Sequence, residues 1–464
     1  MLRFLPGDTL SRHVYVIGGT GVGKSKALES WALELVRRGQ GVGVIDPHGD
    51  LYDNLVARIA EMSPAVWQRV MLIDPTDPDF TVGFNPLENR ASIHPQRQAR
   101  FLASILVKVF HADEVVTARM QQIMFHTFWL LTLARLTLVQ AVPVITDTTW
   151  RESLLVSLEP AHPLRQYWEK EYPSTERTAT EWAQSTLNKI GPFTSDPDIA
   201  LMFGQSDSTV DFRQAMDEGK IVLVKLAKGV LGESASHLLG AFLLAQIQLA
   251  ALSRATQQYS PRKRFTLFLD EFQTYATDDI EQILAESRKY GLALVLAHQF
   301  YGQLRQNPEL QQAVLNTVEN LIAFRIGAQD AEMFVKDIFL PSVDEVKDVR
   351  KRRVPTGMDW WPYFTETEVV YRPLQEIWEL EARRLTTLRR REFWYKRRGR
   401  FQARHLRTPD LPNVRLSPQL ATRIDQLRAT SADQHGIPKN QAVGELEVHM
   451  MEQQEETIPP FDSQ

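Results

Sequence analysis

Cysteine is absent from all 464 residues of the sequence. Its absence excludes disulfide bonds, thiolate metal sites and cysteine nucleophiles, and it is compatible with a reducing compartment. Residues 1–13 contain no apolar run of the length that a signal peptide requires, so we expect no export signal there. Other residue classes are present in ordinary amounts: hydrophobic residues make up 43% and charged residues 24%. This composition is typical of a globular protein rather than a disordered or fibrous one.

Residues 124–145 are the one stretch that suggests a membrane helix, but their composition argues against it. They include His126, Arg135 and Gln140, and an arginine at the bilayer centre costs about 2.5 to 3.5 kcal/mol. A buried helix is the better interpretation. We therefore expect no transmembrane segment in this chain and a cytoplasmic protein.

Charge is unevenly distributed along the chain. The net charge is only −4, yet residues 383–407 hold eleven Lys or Arg and one acid, Glu392, which gives this segment +10 and leaves −14 for the rest. Phosphate attraction plus aromatic stacking would let such a segment hold DNA without reading its sequence. A solvated β-hairpin turning at Gly399 explains the same pattern, and both interpretations stay open. The segment has four aromatic residues among its charges: Phe393, Trp394, Tyr395 and Phe401.

The pattern of apolar runs predicts the fold class. Seven short runs are apolar at nearly every position instead of alternating, as in parallel strands that helices cover on both faces. Helical patterns separate them, for example at 24–38 and 235–254. This alternation predicts an α/β protein with an open, mainly parallel, doubly wound sheet. The predicted strands are 14–17, 42–45, 70–73, 221–226, 265–269, 293–297 and 321–326.

The gap between the third and fourth predicted strands is too long for a simple crossover. Four segments in it have helical periodicity, and prolines fall between or beside them. We therefore predict an all-helical insertion at 87–210, which divides the α/β domain into parts 1–86 and 211–410. After residue 410, Pro, Gln and Glu accumulate, so we expect 411–464 to be a flexible or weakly packed C-terminal tail. The four helical segments are 97–110, 118–134, 148–158 and 175–190.

A complete phosphate-binding motif follows the first predicted strand. The glycines let backbone N–H groups close on phosphate oxygens, and the N-terminus of the next helix adds partial positive charge. Lys24 would reach the β and γ phosphates, and the Ser25 hydroxyl would join the Mg²⁺ shell. The predicted cofactors are therefore ATP and Mg²⁺. The motif, G-x-x-x-x-G-K-[ST], comprises Gly18, Gly19, Thr20, Gly21, Val22, Gly23, Lys24 and Ser25.

Two adjacent carboxylates, Asp270 and Glu271, end the predicted strand 265–269. Asp270 would hold the metal, directly or through water, and Glu271 would orient and polarise the attacking water. A strand-end acidic pair can also be a solvated cap. Its combination with a P-loop favours the catalytic interpretation, and the glutamate favours an ATPase with turnover over a switch protein or small-molecule kinase.

Polar residues on either side of the strand 293–297 are candidates for sensing or stabilising the γ-phosphate. Gln299, just beyond the strand, could form a hydrogen bond with the phosphate. Arg288, ahead of the strand, could act as a finger on a neighbouring subunit's nucleotide. Arg325 is the competing finger. An arginine finger in trans predicts a homo-oligomer.

The sequence DPHGDL at 46–51 follows the second predicted strand. Its polar residues would lie at the carboxyl edge of the sheet, where ligands bind in such folds. A direct role for Asp46, His48 or Asp50 and a purely structural turn are both open.

Several of these segments, taken in order, resemble the ATPase domain of type IV secretion and conjugation coupling proteins. This is the TraD and TraG group of conjugative DNA pumps, within the HerA/FtsK-like superfamily. The resemblance covers roughly residues 10–345. It implies a RecA-like motor interrupted by an all-helical domain, a hexameric ring and ATP-driven DNA pumping. It assigns the nucleotide roles to Lys24, Ser25, Asp270, Glu271, Gln299 and Arg288. The segments are IGGTGVGKS, VIDPHGDL, FNPLE, VKLAKGVLG, FLDEFQTY, ESRKYGLALVLAHQ and FRIGAQDA.

One departure from that family concerns the membrane. Coupling proteins usually carry N-terminal transmembrane helices, whereas here the first predicted strand begins at residue 14. We therefore expect recruitment to the inner face of the membrane by partners such as a relaxase or secretion-channel proteins. The alternatives are a HerA-like DNA-processing translocase, a protein-secretion ATPase of the same superfamily, and a nucleotide-gated scaffold. The GDL ending of the second motif favours coupling proteins over HerA relatives.

Overall fold

The computed structural model describes most of the chain and places a large sheet at its centre. The described residues are 8–88, 94–109, 114–173, 175–257, 262–274, 283–284, 286–305, 308–338, 346–358, 361–400 and 403–452.

Within the described ranges, the central sheet has nine strands, in the order β12-β11-β8-β1-β7-β6-β2-β5-β3. The seven from β8 to β3 are parallel to their neighbours, and β11 and β12 extend the β8 edge in antiparallel orientation. The parallel strands correspond to the seven predicted ones, which confirms the α/β, mainly parallel fold. The strands in the described residues are β1 Val14–Ile17, β2 Gly41–Asp46, β3 Val70–Ile73, β4 Phe80–Thr81, β5 Ile221–Lys225, β6 Phe265–Leu269, β7 Leu292–His298, β8 Asn320–Ala323, β9 Val346–Met358, β10 Trp361–Tyr371, β11 Glu392–Arg397, β12 Arg404–Arg407 and β13 Ile437–Pro438.

Burial on both faces explains why these strands lack alternation. Every residue of β1, β2, β6 and β7 is buried, because helices cover the sheet on each side. Since parallel strands end at one edge, the loops that follow β1, β2, β6, β7 and β8 all emerge on the same side of the molecule. This carboxyl edge holds most of the candidate site.

Helices fill the connections between the strands. Among the described residues, they are α1 Lys24–Arg37, α2 Asp50–Ala60, α3 Pro64–Trp67, α4 Pro95–Val109, α5 Glu114–Leu133, α6 Ala141–Thr146, α7 Thr148–Leu155, α8 Pro163–Gln166, α9 Glu176–Ser195, α10 Pro197–Phe203, α11 Phe212–Glu218, α12 Lys228–Leu231, α13 Glu233–Ser253, α14 Tyr301–Arg305, α15 Pro308–Thr317, α16 Ala328–Ile338, α17 Leu374–Thr386, α18 Pro418–His435 and α19 Lys439–Glu452.

The long connection between β4 and β5 is helical wherever it is regular in the described residues. Helix α5 packs on both α4 and α9, and α4 also contacts α13. Phe128 and Leu130 are fully buried there, so their helix is a core helix as expected. The segment's hydrophobic core is continuous with that of one face of the sheet. The boundaries 87 and 210 remain a prediction.

One described helix, α13, is long and apolar enough to cross a membrane by composition, with a mean hydropathy of 1.5 over its most apolar window. Within this fold, 83% of that window is buried by the rest of the protein. Burial of this kind is what the core helix of a doubly wound sheet requires, so its composition has a structural cause.

The C-terminal segment is better packed than expected, and the prediction of a weakly packed tail was wrong for 411–452. Helix α18 lies against α2 and β3, with Leu427 fully buried. Arg423 donates to the carbonyl oxygens of Ala60 and Met62, both at 2.6 Å. Few apolar residues are needed to hold α18 in place, because side-chain hydrogen bonds to carbonyl groups at a helix terminus provide further contacts. Such contacts leave no hydrophobic periodicity in the sequence.

The basic segment forms the predicted hairpin, which turns at Gly399 in the left-handed region with φ 75°. Strand β11 pairs with β8, so Phe393 and Tyr395 are buried in the sheet, at 1% and 3% exposure. Neither ring can stack on a base, and that part of the DNA-contact interpretation was wrong. Phe401 lies outside the described residues. The positive charges of the segment remain a candidate DNA contact.

Candidate nucleotide site

The loop between β1 and α1 has the backbone geometry of a phosphate-binding loop. Gly21 and Gly23 adopt φ 74° and 104°, which residues other than glycine rarely adopt. A Cβ on Gly18 would lie 2.6 Å from the Cβ of Phe324, so a side chain is excluded there. The Gly19 amide donates to the Arg325 carbonyl oxygen at 3.0 Å. The loop therefore closes against the segment that directly follows β8.

Lys24, in the first turn of α1, is held by both acidic residues that follow β6. Its Nζ donates to Glu271 Oε1 at 2.6 Å and lies 3.6 Å from Asp270 Oδ1. All three side chains are buried, with at most 6% of each residue exposed. Charges in such an environment interact strongly and must be paired. A polyphosphate that enters the loop would compete with Glu271 for the ammonium group.

The acidic pair is placed by an unusual backbone. Glu271 has φ 46°, in the left-handed region, where residues other than glycine are strained by about 1 to 3 kcal/mol. Its amide donates to Asp270 Oδ1 at 3.1 Å, and Gln273 donates to its Oε2 at 2.8 Å. The two carboxylates are thus turned toward Lys24 by their own loop, and a solvated cap does not describe them.

Burial raises the pKa of Asp270 to about 6, and the nearby Glu271 and Asp46 carboxylates act in the same direction, whereas Lys24 lowers it. A buried carboxylate with one nearby cation is suited to a second cation, since Mg²⁺ would complete its charge compensation. Among the described residues, no group of three or more His, Asp or Glu side chains could hold a metal by itself. Ser25 and Asp270 as Mg²⁺ ligands therefore stay a prediction, in which nucleotide phosphates would supply the other ligands.

Gln299 lies next to the P-loop. It directly follows β7, and its Oε1 accepts a hydrogen bond from the Thr20 hydroxyl at 3.0 Å. Behind it, His298 is fully buried and hydrogen-bonded to the Tyr15 hydroxyl. Burial, with a contribution from Lys24, lowers the pKa of His298 to about 3. The imidazole is therefore neutral, and Gln299 extends from a rigid strand end toward the loop.

Buried neutral histidines predict that the protein loses stability in acid. The pKa of His13 is lowered to about 4 by burial and by Arg288, and that of His298 to about 3. In the unfolded chain both imidazoles take up a proton near pH 6.5. The free energy of unfolding is therefore highest above that pH and falls as the pH drops below it. Between pH 7 and 5 we expect each histidine to lower the free energy of unfolding by about 2 kcal/mol. Asp270, whose pKa is raised, acts in the opposite direction and restores about 1 kcal/mol of the summed loss.

Urea unfolding of the parent protein and a His13→Gln variant at both pH values checks this expectation. The variant should lose clearly less stability than the parent on acidification. Equal losses would show that His13 is not one of the groups responsible.

Arg288 lies at the other edge of the sheet from the P-loop. It belongs to a 3₁₀ turn, Ser287–Tyr290, that precedes β7, and 59% of its side chain is exposed. The seven residues of β7 separate it from the carboxyl edge by about 20 Å. It is therefore too far from the P-loop of its own chain to contact a nucleotide there. Arg325 follows β8 at the carboxyl edge, beside its own P-loop.

A network of charges surrounds Arg288. Its guanidinium lies 3.6 Å from Glu319 Oε2, and Arg397 donates to Glu319 Oε1 at 3.0 Å. Arg12 also donates to both Glu319 oxygens, and this hydrogen bond is the main reason that the pKa of Glu319 is lowered. Three arginines therefore converge on one carboxylate, and the basic hairpin contributes one of them.

Asp46, the last residue of β2, holds the turn between β2 and α2 in place. Asp46 is 1% exposed, and its oxygens accept three backbone amides, from His48 at 3.0 Å, Leu51 at 2.8 Å and Tyr52 at 3.0 Å. These bonds fix the start of α2 and favour the turn interpretation for Asp46. His48 and Asp50 are exposed.

Arg391 is a residue of the site region that the sequence did not indicate. Its backbone amide donates to the Val22 carbonyl oxygen at 2.7 Å, and its side chain covers Gly23, where a Cβ would lie 2.9 Å from the Arg391 Cγ. It has φ 72°, and its guanidinium pairs with Asp410. The chain just before β11 thus braces the P-loop from outside. Only a non-local backbone contact reveals this role.

Two substitutions at Arg391 should distinguish the effect of its backbone contact with the P-loop from the effect of its charge. Arg391→Gly and Arg391→Val both remove the guanidinium, but only glycine adopts positive φ freely. We expect valine to displace the brace and weaken ATP binding about tenfold, and glycine to stay within about twofold of the parent. Titration with a fluorescent ATP analogue measures both. Equal affinities of the two variants would contradict the bracing role.

Comparison with known proteins decides the family. Residues 4–339 match the sequence profile of the type IV secretion-system coupling protein DNA-binding domain. The chain belongs to this family. The match covers the P-loop, the acidic pair, Arg288 and Gln299, and it confirms the resemblance inferred from the motifs. It ends before β9, so the C-terminal hairpin and helices lie outside it. Comparison with curated proteins gave no match.

Solved structures of one coupling protein share the fold. A bacterial conjugative coupling protein, TrwBdeltaN70, has 18% identity and a TM-score of 0.58, over 87% of this chain and 86% of that one. Plasmid coupling protein TrwB with ADP and Mg²⁺ has 18% identity and a TM-score of 0.56, over 89% of each chain. TrwB with a non-hydrolysable ATP analogue has 17% identity, the same coverage and a TM-score of 0.56. At this identity the likeness concerns the fold.

Proposed function

We propose that this coupling-family protein is an ATPase that uses hydrolysis to move DNA through a ring of identical subunits, most simply six. The observation that carries the proposal is the buried set of Lys24, Asp270 and Glu271 at the mouth of the P-loop. A chain that only bound nucleotide would need the loop and its lysine but no positioned base. TrwB, which shares the fold, has been solved with ADP and Mg²⁺, which supports the same cofactors here.

Each residue of the site has a chemical task in this proposal. Lys24 and the loop amides hold the β and γ phosphates. Ser25 and Asp270 hold Mg²⁺, which neutralises phosphate charge when bound. Glu271 takes up the proton of the attacking water, and Gln299 senses the γ-phosphate from the strand end. The Thr20 hydroxyl, 3.0 Å from Gln299 Oε1, links that sensor to the loop.

Arg288 supports an oligomer in which active sites lie between subunits. Because it lies at the amino edge of the sheet, it can stabilise transition-state charge only on a neighbour's nucleotide. Repeating that contact around a closed ring gives every P-loop one arginine from the next subunit. We place the protein in the cytoplasm, where a relaxase or secretion-channel proteins could recruit it to the inner face of the membrane.

ATP turnover of the purified protein, measured with and without DNA, tests the proposal. Single-stranded and double-stranded DNA are compared at equal nucleotide concentration, and the oligomeric state is followed by sedimentation. We expect DNA to stimulate turnover and ATP to favour the oligomer. A protein that stays monomeric with both ligands and hydrolyses ATP at a rate indifferent to DNA would refute the proposal. Crosslinking to a protein substrate without DNA binding would favour protein cargo.

A further inference from the structure

Strands β9 and β10 form a separate two-stranded antiparallel ribbon, called here the β-arm. In the described part of the chain, each strand pairs only with the other, and neither joins the central sheet. With 13 residues in β9, the β-arm is about 40 Å long. It follows the family-matched region and precedes α17. No sequence motif or family match assigns it a task.

The β-arm is exposed on both faces. Val349, Val369 and Tyr371 are 50%, 41% and 54% exposed, and Trp361 near the tip is 57% exposed. Its base is tied to α17, where Glu376 accepts from Lys347 at 2.6 Å and from Arg372 at 3.0 Å. Isolated two-stranded ribbons are marginal in water, so a long one that joins no other sheet in the described part of the chain presents its surface to something else.

The two faces of the β-arm differ in charge. On one face, Arg350 lies 3.4 Å from Asp348, and Arg352 is directly opposite Glu366. Alternation places Lys351 and Arg353 on the other face, whereas Lys347 at the base is paired with Glu376.

That other face has no acid directly opposite its cations. Lys351 pairs across the strands with Thr367, and Arg353 with Thr365. All four residues are exposed. This cationic face therefore carries two charges and two hydroxyl groups along one ribbon.

We propose that the cationic face of the β-arm binds the sugar–phosphate backbone of DNA. Lysine, arginine and threonine side chains are the groups that contact phosphates without reading sequence. A two-stranded ribbon also fits the width of the major groove. The exposed Trp361 adds a ring that a single-stranded base could stack on. The inference rests on the proposed function and gives it a DNA contact outside the family-matched region.

A second copy of the chain fits this face less well than a polyanion does. The cross-strand pair Val349 and Val369 lies beside the two cations on this face. Protein interfaces bury an apolar, charge-depleted centre, whereas the centre of this face is Lys351 and Arg353. A phosphate backbone needs only regularly spaced cations and hydroxyl groups.

Binding of labelled single-stranded and duplex oligonucleotides to the full chain, at several salt concentrations, tests the inference. The test variant is Lys351→Gln with Arg353→Gln. The matched control is Arg350→Gln with Arg352→Gln, which removes equal charge from the opposite face of the same strand. Melting temperature, DNA-free ATP turnover and sedimentation check that folding, the ATP site and the oligomer are intact.

We expect the test variant to bind DNA about tenfold or more weakly, while the control stays near the parent. The salt slope of log K should fall by about 1.8 for duplex and about 1.4 for single strands, as for two lost phosphate contacts. Equal effects of the two variants, or none, would overturn the inference. Loss of the oligomer with DNA affinity retained would also overturn it and point to a second copy. If the parent itself binds no DNA, the proposed function fails instead.

Discussion

Replacing Glu271 with glutamine is expected to stop ATP turnover while ATP still binds. The variant keeps the shape of the side chain but removes the base that accepts the proton of the attacking water, which we expect to lower kcat by about 10² to 10⁴. It also removes the carboxylate that holds Lys24 at 2.6 Å. The ammonium is then freer to turn to phosphate, so ATP affinity should equal or exceed that of the parent. Single-turnover hydrolysis and equilibrium ATP binding measure the two effects separately.

Lys24→Ala is the matched control for that experiment. It breaks the same ion pair from the other side, but it also removes the group that holds the β and γ phosphates, so ATP binding should be lost. We therefore expect Glu271→Gln to bind ATP without hydrolysing it, and Lys24→Ala neither to bind nor to hydrolyse ATP. Turnover by Glu271→Gln within about tenfold of the parent would remove Glu271 from the role of base.

Arg288→Ala is expected to lower turnover about 10³-fold without affecting ATP binding, because the arginine acts on a neighbour's nucleotide. Subunits of this variant still have an intact P-loop, and Lys24→Ala subunits still have an intact Arg288. Mixing the two inactive proteins should therefore restore activity. In random rings about one quarter of the interfaces combine both intact halves. ATP turnover at increasing ratios of the two proteins measures the recovery.

Lys289→Ala serves as the neighbouring control, since it removes an exposed cation from the same 3₁₀ turn. It should leave turnover unchanged. Arg325→Ala tests the competing arginine beside the P-loop. A large loss for Arg325→Ala together with normal turnover for Arg288→Ala would exchange the two assignments. Failure of the mixed subunits to recover any activity would show that Arg288 does not act across an interface.

The sequence predicted the central sheet because its strands are buried on both faces. Runs such as 14–17 and 293–297 are apolar at every position, and short runs of that kind have few other structural solutions. The P-loop and the acidic pair were predictable for a related reason, since their chemistry is local to a few consecutive residues. Chain order also predicts the edge of the sheet on which Arg288 lies. Arg288 precedes β7, whereas Gln299 follows it, so the two residues lie at opposite edges.

Contacts between distant segments could not be predicted in this way. The bond from the Arg391 amide to Val22 uses a backbone group, which no side-chain pattern encodes. The docking of α18 depends on Arg423 and a few apolar residues, too few to create a period. Because Phe393 and Tyr395 lie among charged residues, the sequence indicated that their rings stack on DNA bases. Pairing of β11 with β8 instead buries both rings. Burial set by strand pairing overrode composition in that case.

The most direct test of the account is displacement of a third strand from triplex DNA by the purified protein. A motor that converts hydrolysis into movement along DNA should release the third strand with ATP, but not with a non-hydrolysable analogue. The Glu271→Gln variant should bind the same DNA and release nothing. If the parent protein hydrolyses ATP on this DNA without releasing the strand, or if the variant releases it as fast as the parent, the central claim is contradicted.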